Sequence, residues 1–316
     1  MIKRVFVLVV VVMSVIFAAS SAYAEEPPPD EPSQIDQSWD RLGVDEASGL
    51  ARTELALWQF THGLFLGLQS CAIVDCDDPR VLNSMPTLGS ALGLGGSLWL
   101  TRDGITSGQA RAINSGSLWG AWYGFAAGTI GGHSGSTVLR TMMATQLIGT
   151  GVGFLLSEQL RPTGGDVRLV NHTAAWTTAY YLLISQGLLG LDQSNQVLGV
   201  GLIASATLGG FLGSQIALEA PMSASRVAVI SASGLLGGVA GSSAPVMIYG
   251  EQLDAMDNRI GMATVFAGSA IGLGVGTYLT RDWDRDVEAY QRADLSLSVL
   301  PTPEADGVQA ALHGQF

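Results

Sequence analysis

Along the chain, charged residues collect in short breaks, and between them run eight stretches with no Asp, Glu, Lys or Arg: 55–74, 81–101, 112–139, 141–157, 169–191, 193–218, 227–250 and 260–280. Each is far longer than an ordinary strand and shows no sustained alternation of apolar and polar positions. About twenty helical residues rising ~1.5 Å each span roughly 30 Å, the hydrocarbon thickness of a bilayer. The pattern predicts eight membrane-length helices. The last residues obey a different period. Val308, Ala310, Leu312, Gly314 and Phe316 share one face, with Gln309, Ala311, His313 and Gln315 on the other, which is the signature of a strand. With 294–300 ("DLSLSVL") and the turn "PTPEADG", they predict a C-terminal β-hairpin.

The helical stretches repeat. "SGLAR" at 48–52 returns as "SGQAR" at 107–111, and "RAINSGSLWGAWY" from Arg111 aligns without a gap to "RLVNHTAAWTTAY" from Arg168. Arg226 in "SASRVAVISASG" starts a weaker fourth copy, so that Arg52, Arg111, Arg168 and Arg226 follow one another at 59, 57 and 58 residues. The second half of the unit repeats as well, most plainly in "LGLGGSLWLTRD" (92–103) and "IGLGVGTYLTRD" (271–282). Each unit carries a pair of small residues four apart: Gly93 and Ser97, Gly149 and Gly153, Gly209 and Gly213, Gly272 and Gly276. In lipid, small residues let helix backbones approach closely, so these eight positions are the expected helix-packing contacts. The fold class read from the chain is mainly α: four tandem helical hairpins with a C-terminal β-hairpin.

Composition places this unit between two unlike ends. Residues 1–24 combine Lys3 and Arg4, a long apolar run and small residues at Ala22 and Ala24, the features of a secretory signal peptide cleaved after Ala24. An acidic, proline-rich tail follows over 25–46, then the four-repeat membrane domain over 47–283, then a linker and the hairpin over 284–316. A net charge of -12 with a single Lys argues against nucleic acid as a partner. Cys71 and Cys76 are the only cysteines. Outside the cytoplasm so close a pair reads as a local disulfide, with two free buried thiols as the alternative.

Two features bear on the choice of membrane. Stretches such as 169–191 are only marginally apolar, with Asn171, His172, Thr173, Thr177, Thr178 and Gln186, so they could escape lateral insertion and be secreted. If the mature N-terminus is periplasmic and the helices alternate, ten arginines from Arg41 to Arg292 fall on that side and only Arg80, Arg140 and Arg259 on the other. That is opposite to the positive-inside rule for an inner-membrane protein.

The alternating residues Val308, Ala310, Leu312 and Gly314, ending on Phe316, resemble the β-signal by which outer-membrane barrel proteins are recognised, which implies an outer-membrane address and the outer-membrane assembly machinery as a partner. One hairpin cannot close a barrel, and its edges would have to pair with neighbouring copies. The whole chain is also similar to glycine-rich helical outer-membrane proteins of predatory bacteria that form rings around lipid. These resemblances imply a homo-oligomeric ring enclosing a pore or a lipid patch. An eight-helix inner-membrane transporter and a soluble periplasmic lipid-binding protein are the alternatives.

Candidate chemistry is sparse. His62, His133, His172 and His313 form no metal-binding motif, "GGHSGS" (131–136) lacks the last glycine of a nucleophile elbow, and "GTGVG" (149–153) lacks the Lys-Ser/Thr of a phosphate loop. No catalytic residue, metal or cofactor is expected. Arg111 with Asn114 and Arg168 with Asn171, each pair on one helix face, are candidate lipid-headgroup contacts or helix-end arginines. Trp99, Trp119, Trp122, Trp176 and Tyr278 read as interface anchors or packing residues.

Overall fold

A computed structural model of the chain describes residues 47–133, 135–189, 194–249 and 258–284, together with the backbone of 296–301 and 308–313. The expected signal peptide and acidic tail lie outside the described residues. Among the described residues eight helices follow one another: α1 (Gly49–Val74), α2 (Pro79–Leu100), α3 (Ser107–Ile130), α4 (Gly135–Leu160), α5 (Gly164–Leu182), α6 (Asn195–Glu219), α7 (Ala224–Tyr249) and α8 (Asn258–Leu279). The wider turn Leu183–Leu188 continues α5 as a π-helix.

The odd-numbered helices start alike. Ser48 Oγ accepts from the Ala51 amide, while Thr106 with Gln109 and Thr163 with Asp166 form reciprocal capping boxes. Ser223 Oγ accepts from the Arg226 amide at the start of α7. A side-chain oxygen at this place satisfies one of the amides that a first helical turn leaves unpaired.

Consecutive helices pair as hairpins, α1 with α2, α3 with α4, α5 with α6 and α7 with α8. The hairpins then join through one rule. The odd helices form a row, α1 beside α3, α3 beside α5 and α5 beside α7, and the even helices lie over it with an offset of one unit. Thus α4 touches α1 as well as α3, α6 touches α3 as well as α5, and α8 touches the π-turn that ends α5. Each odd helix therefore lies in the groove of the hairpin that follows it.

The fold class expected from the sequence needs correction. Among the described residues three helices, not eight, are long and apolar enough to cross a membrane: α6, α7 over Ala224–Pro245, and α8 over Arg259–Leu279, with mean hydropathies of 1.7, 1.5 and 1.5. They mark the chain as a membrane-associated α-helical protein. The earlier helices are as long, but polar residues dilute them, including Gln59, Gln69, Asn114, Gln146, Asn171 and His172; several of these bond to neighbouring helices. Freedom from charge is a weaker criterion than summed transfer energy.

The C-terminal part is corrected too. β1 (Ser296–Pro301) and β2 (Val308–His313) pair antiparallel, with Leu297 opposite Leu312 and Val299 opposite Ala310. The described pairing runs to His313, and Gly314 and Phe316 of the expected β-signal lie outside the described residues. Two six-residue strands with two open edges build no barrel, and the body of the protein is helical. The β-hairpin as a membrane component, and the outer-membrane placement that rested on it, are therefore withdrawn.

Candidate functional site

Within each hairpin, backbone meets backbone at the small residues. A Cβ at Gly93 would strike the carbonyl oxygen of Gln59, one at Gly149 that of Gly116, and one at Gly272 that of Ser233. Gly209 lies against Thr173 and Ala174, Gly153 against Ala112, Gly213 against Val170 and Gly276 against Ile230. Ser97 is buried, and its hydroxyl donates to the Leu94 carbonyl at 2.8 Å. At so short a separation any larger side chain would force the two helices apart.

Between hairpins polar contacts recur. From α1 to the second hairpin, Trp58 Nε1 donates to Ser117 Oγ at 2.8 Å and Gln59 Nε2 to Asn114 Oδ1 at 3.4 Å. The ring nitrogens of His62 lie 3.2 Å from Gln59 Oε1 and 3.2 Å from Gln146 Oε1. From α3 to α5, Trp119 Nε1 donates to Asn171 Oδ1 at 2.8 Å, and Asn171 Nδ2 donates back to Ser115 Oγ. From α5 to α7, Ser231 Oγ receives Trp176 Nε1 at 3.3 Å and also meets His172. One indole N–H in each of α1, α3 and α5 reaches a polar group on the next odd helix, so these half-buried Trp side chains and their acceptors are satisfied together, whereas the indole N–H of buried Trp122 has no partner among the described residues.

The four arginines mark one end of this row. Arg111 Nε lies 3.4 Å from Glu54 Oε1 of α1, and Arg168 Nη1 donates to the Ala224 carbonyl at 2.9 Å. Arg226 pairs with buried Asp284 at 3.2 Å, and Asp284 also accepts from the Ser223 amide. Arg52 Nη2 donates to the Leu98 carbonyl within its own hairpin, and its Nε has no partner. The structure thus places the candidate headgroup residues Arg111, Asn114, Arg168 and Asn171 in contacts between neighbouring helices. Their acceptors Glu54 and Asp284 were not singled out in the sequence. Glu54 has no counterpart at the same place in the other repeats, so the pattern of repeats gave no cue to it.

Trp99 and Tyr278 are both exposed, and each is stacked under an arginine, Arg102 at 5.9 Å and Arg281 at 4.4 Å from the ring centroid. Both pairs come from the duplicated "LTRD" segment. Trp122 and Trp176 pack beside Phe125 and Tyr180. Cys71 and Cys76 are joined by a disulfide at the end of α1. No group of three or more His, Cys, Asp or Glu side chains converges among the described residues.

A groove stands open at the start of the row. Between α1 and α2 a cavity of about 600 Å³ is lined by Gly49, Arg52, Ala56 and Leu57 of α1 and by Leu94 and Leu98 of α2. In the next hairpin the corresponding groove receives α1 itself, whose Ala51 and Leu55 form an apolar cluster with Ile105, Ala110 and Ile113, against which Phe154 packs. Comparison with protein-family models, with curated proteins and with solved structures finds no match to this chain.

Proposed function

We propose that this protein is a non-enzymatic structural component of a membrane, a helical-hairpin array that assembles from several copies into a ring enclosing a pore or a patch of lipid. The observation that carries the reading is the distribution of apolar surface. Large side chains such as Leu92, Ile148, Leu155, Phe211 and Leu236 are exposed over most helices, far beyond the isolated apolar residues usual on a soluble monomer. The three apolar helices and the exposed Trp99–Arg102 and Tyr278–Arg281 pairs support lipid as the surrounding phase. The Cys71–Cys76 disulfide supports an oxidising compartment at the α1–α2 turn.

Two measurements test this. Native membranes washed at alkaline pH and floated on a density gradient are expected to retain the full-length protein; release into the supernatant would contradict membrane embedding. Electron microscopy of mildly extracted particles is expected to show closed rings, and single copies or open chains would contradict the assembly.

A further inference from the structure

Among the described residues, the repeat rule leaves a vacancy at each end of the helical row. α3 and α5, which have odd helices on both sides, contribute no large exposed hydrophobic residue, whereas α1 exposes Leu50, Leu57, Phe60, Phe65 and Leu68, and α7 exposes Leu235, Leu236, Val239 and Met247. Of these, Leu57 lines the α1–α2 groove. On α7, Ala232, Leu236, Val239, Ser243 and Met247 recur at helical spacing along one exposed face. The groove lacks an odd helix, and the last odd helix lacks a groove.

We infer that α7 of one copy lies in the α1–α2 groove of the next, so that the assembly is joined head to tail by a fifth use of the contact already made within the chain. This rests on the assembly proposed above and names the surfaces that form it. Two of the three internal junctions share one register, the Trp58–Ser117 contact at offsets of nine and ten being the exception. Trp119 and Trp176 each stand twelve residues after the first residue of their helix, and their partners Asn171 and Ser231 each stand seven after the first residue of theirs. The same offsets on α7 and α1 give Leu236 and Ala56. Ala56 lines the open groove, beside exposed Leu57. An aliphatic side chain thus meets an apolar wall at the one junction between copies, where the junctions within the chain use indole and hydroxyl or amide. A head-to-tail contact of this kind is heterologous, and it generates rings when its rotation closes.

The test uses the full chain in native membranes with Leu57→Cys and Leu236→Cys, separately and together. Both positions are exposed, 57 % and 70 %, so neither substitution threatens the fold. Mild oxidation is expected to give a ladder of dimers, trimers and higher species from the double variant and not from either single variant. An oligomer, sized by light scattering after extraction, that gives no ladder would overturn this interface while leaving the ring reading intact. Single copies in native membranes, by lysine-independent photo-crosslinking as well as by sizing, would overturn both and leave lipid as the cover of the two faces.

Discussion

The middle and the ends of the helical row obey the same sequence repeat and differ in what surrounds them. α3 and α5 are enclosed by an odd helix on each side, and their polar groups bond to both neighbours. α1 and α7 have one such neighbour. At the polar end of α7 the chain supplies its own substitute. Where Arg168 donates to the Ala224 carbonyl of the following repeat, Arg226 instead pairs with Asp284 just beyond α8. The apolar face of α7 receives no such cover from the described residues. Terminal repeats of soluble solenoids carry polar outer faces; an apolar terminal face suits lipid or another copy.

Perturbations of the two regions should separate accordingly. The largest effect is expected from Asp284→Ala, which leaves the Arg226 guanidinium buried without its acid and should cost about 3–5 kcal/mol in unfolding measured in detergent. Removal of the exposed acid in Asp103→Ala, beside Arg102, should leave the unfolding midpoint unchanged within error. In the middle of the row, Gly149→Ala drives a methyl group into the Gly116 carbonyl. It should destabilise by about 1–3 kcal/mol, because the backbone cannot move aside without separating α3 from α4. Gly151→Ala, two residues away and facing open space, is the control and should be neutral or slightly stabilising. Asn171→Ala removes the acceptor of Trp119 and is expected to cost about 1–2 kcal/mol, the usual range for interhelical hydrogen bonds in membranes and for a buried donor left unpaired. The smallest effect on folding is expected at the end face. Leu236→Gln should leave the unfolding midpoint of the extracted protein unchanged, yet shift its sedimentation from the assembled to the single-copy species.

Much of this architecture was legible in the sequence, and the reasons are specific. Eight charge-free stretches gave eight helices, since charges sit in the turns. Small residues four apart pointed to the faces on which α1 meets α2 and α3 meets α4. The membrane span count was not legible by the same means. Gln59, Asn114, His172 and their kind are uncharged yet lower hydropathy, and their use in contacts between hairpins appears only when helices distant in sequence are brought together. The offset of the even helices was hidden for the same reason: Arg111 finds Glu54, and His62 finds Gln146, across a whole repeat. The π-turn at Leu183–Leu188, where Gly187 lies against Met262 of α8, has no local signal in an otherwise uniform helical stretch. At the C-terminus, alternation identified strand residues, but a period of two carries no information about what the strands pair with or which membrane they serve.

The most direct measurement is the mass of the particle released from native membranes in a polymer belt without detergent, read by native mass spectrometry of the full-length protein. A single population at an integral multiple of the chain mass greater than one, together with retained lipid, is the expected result. A particle holding one copy of the chain, with lipid against both α1 and α7, would contradict the claim that the two ends of the repeat complete each other.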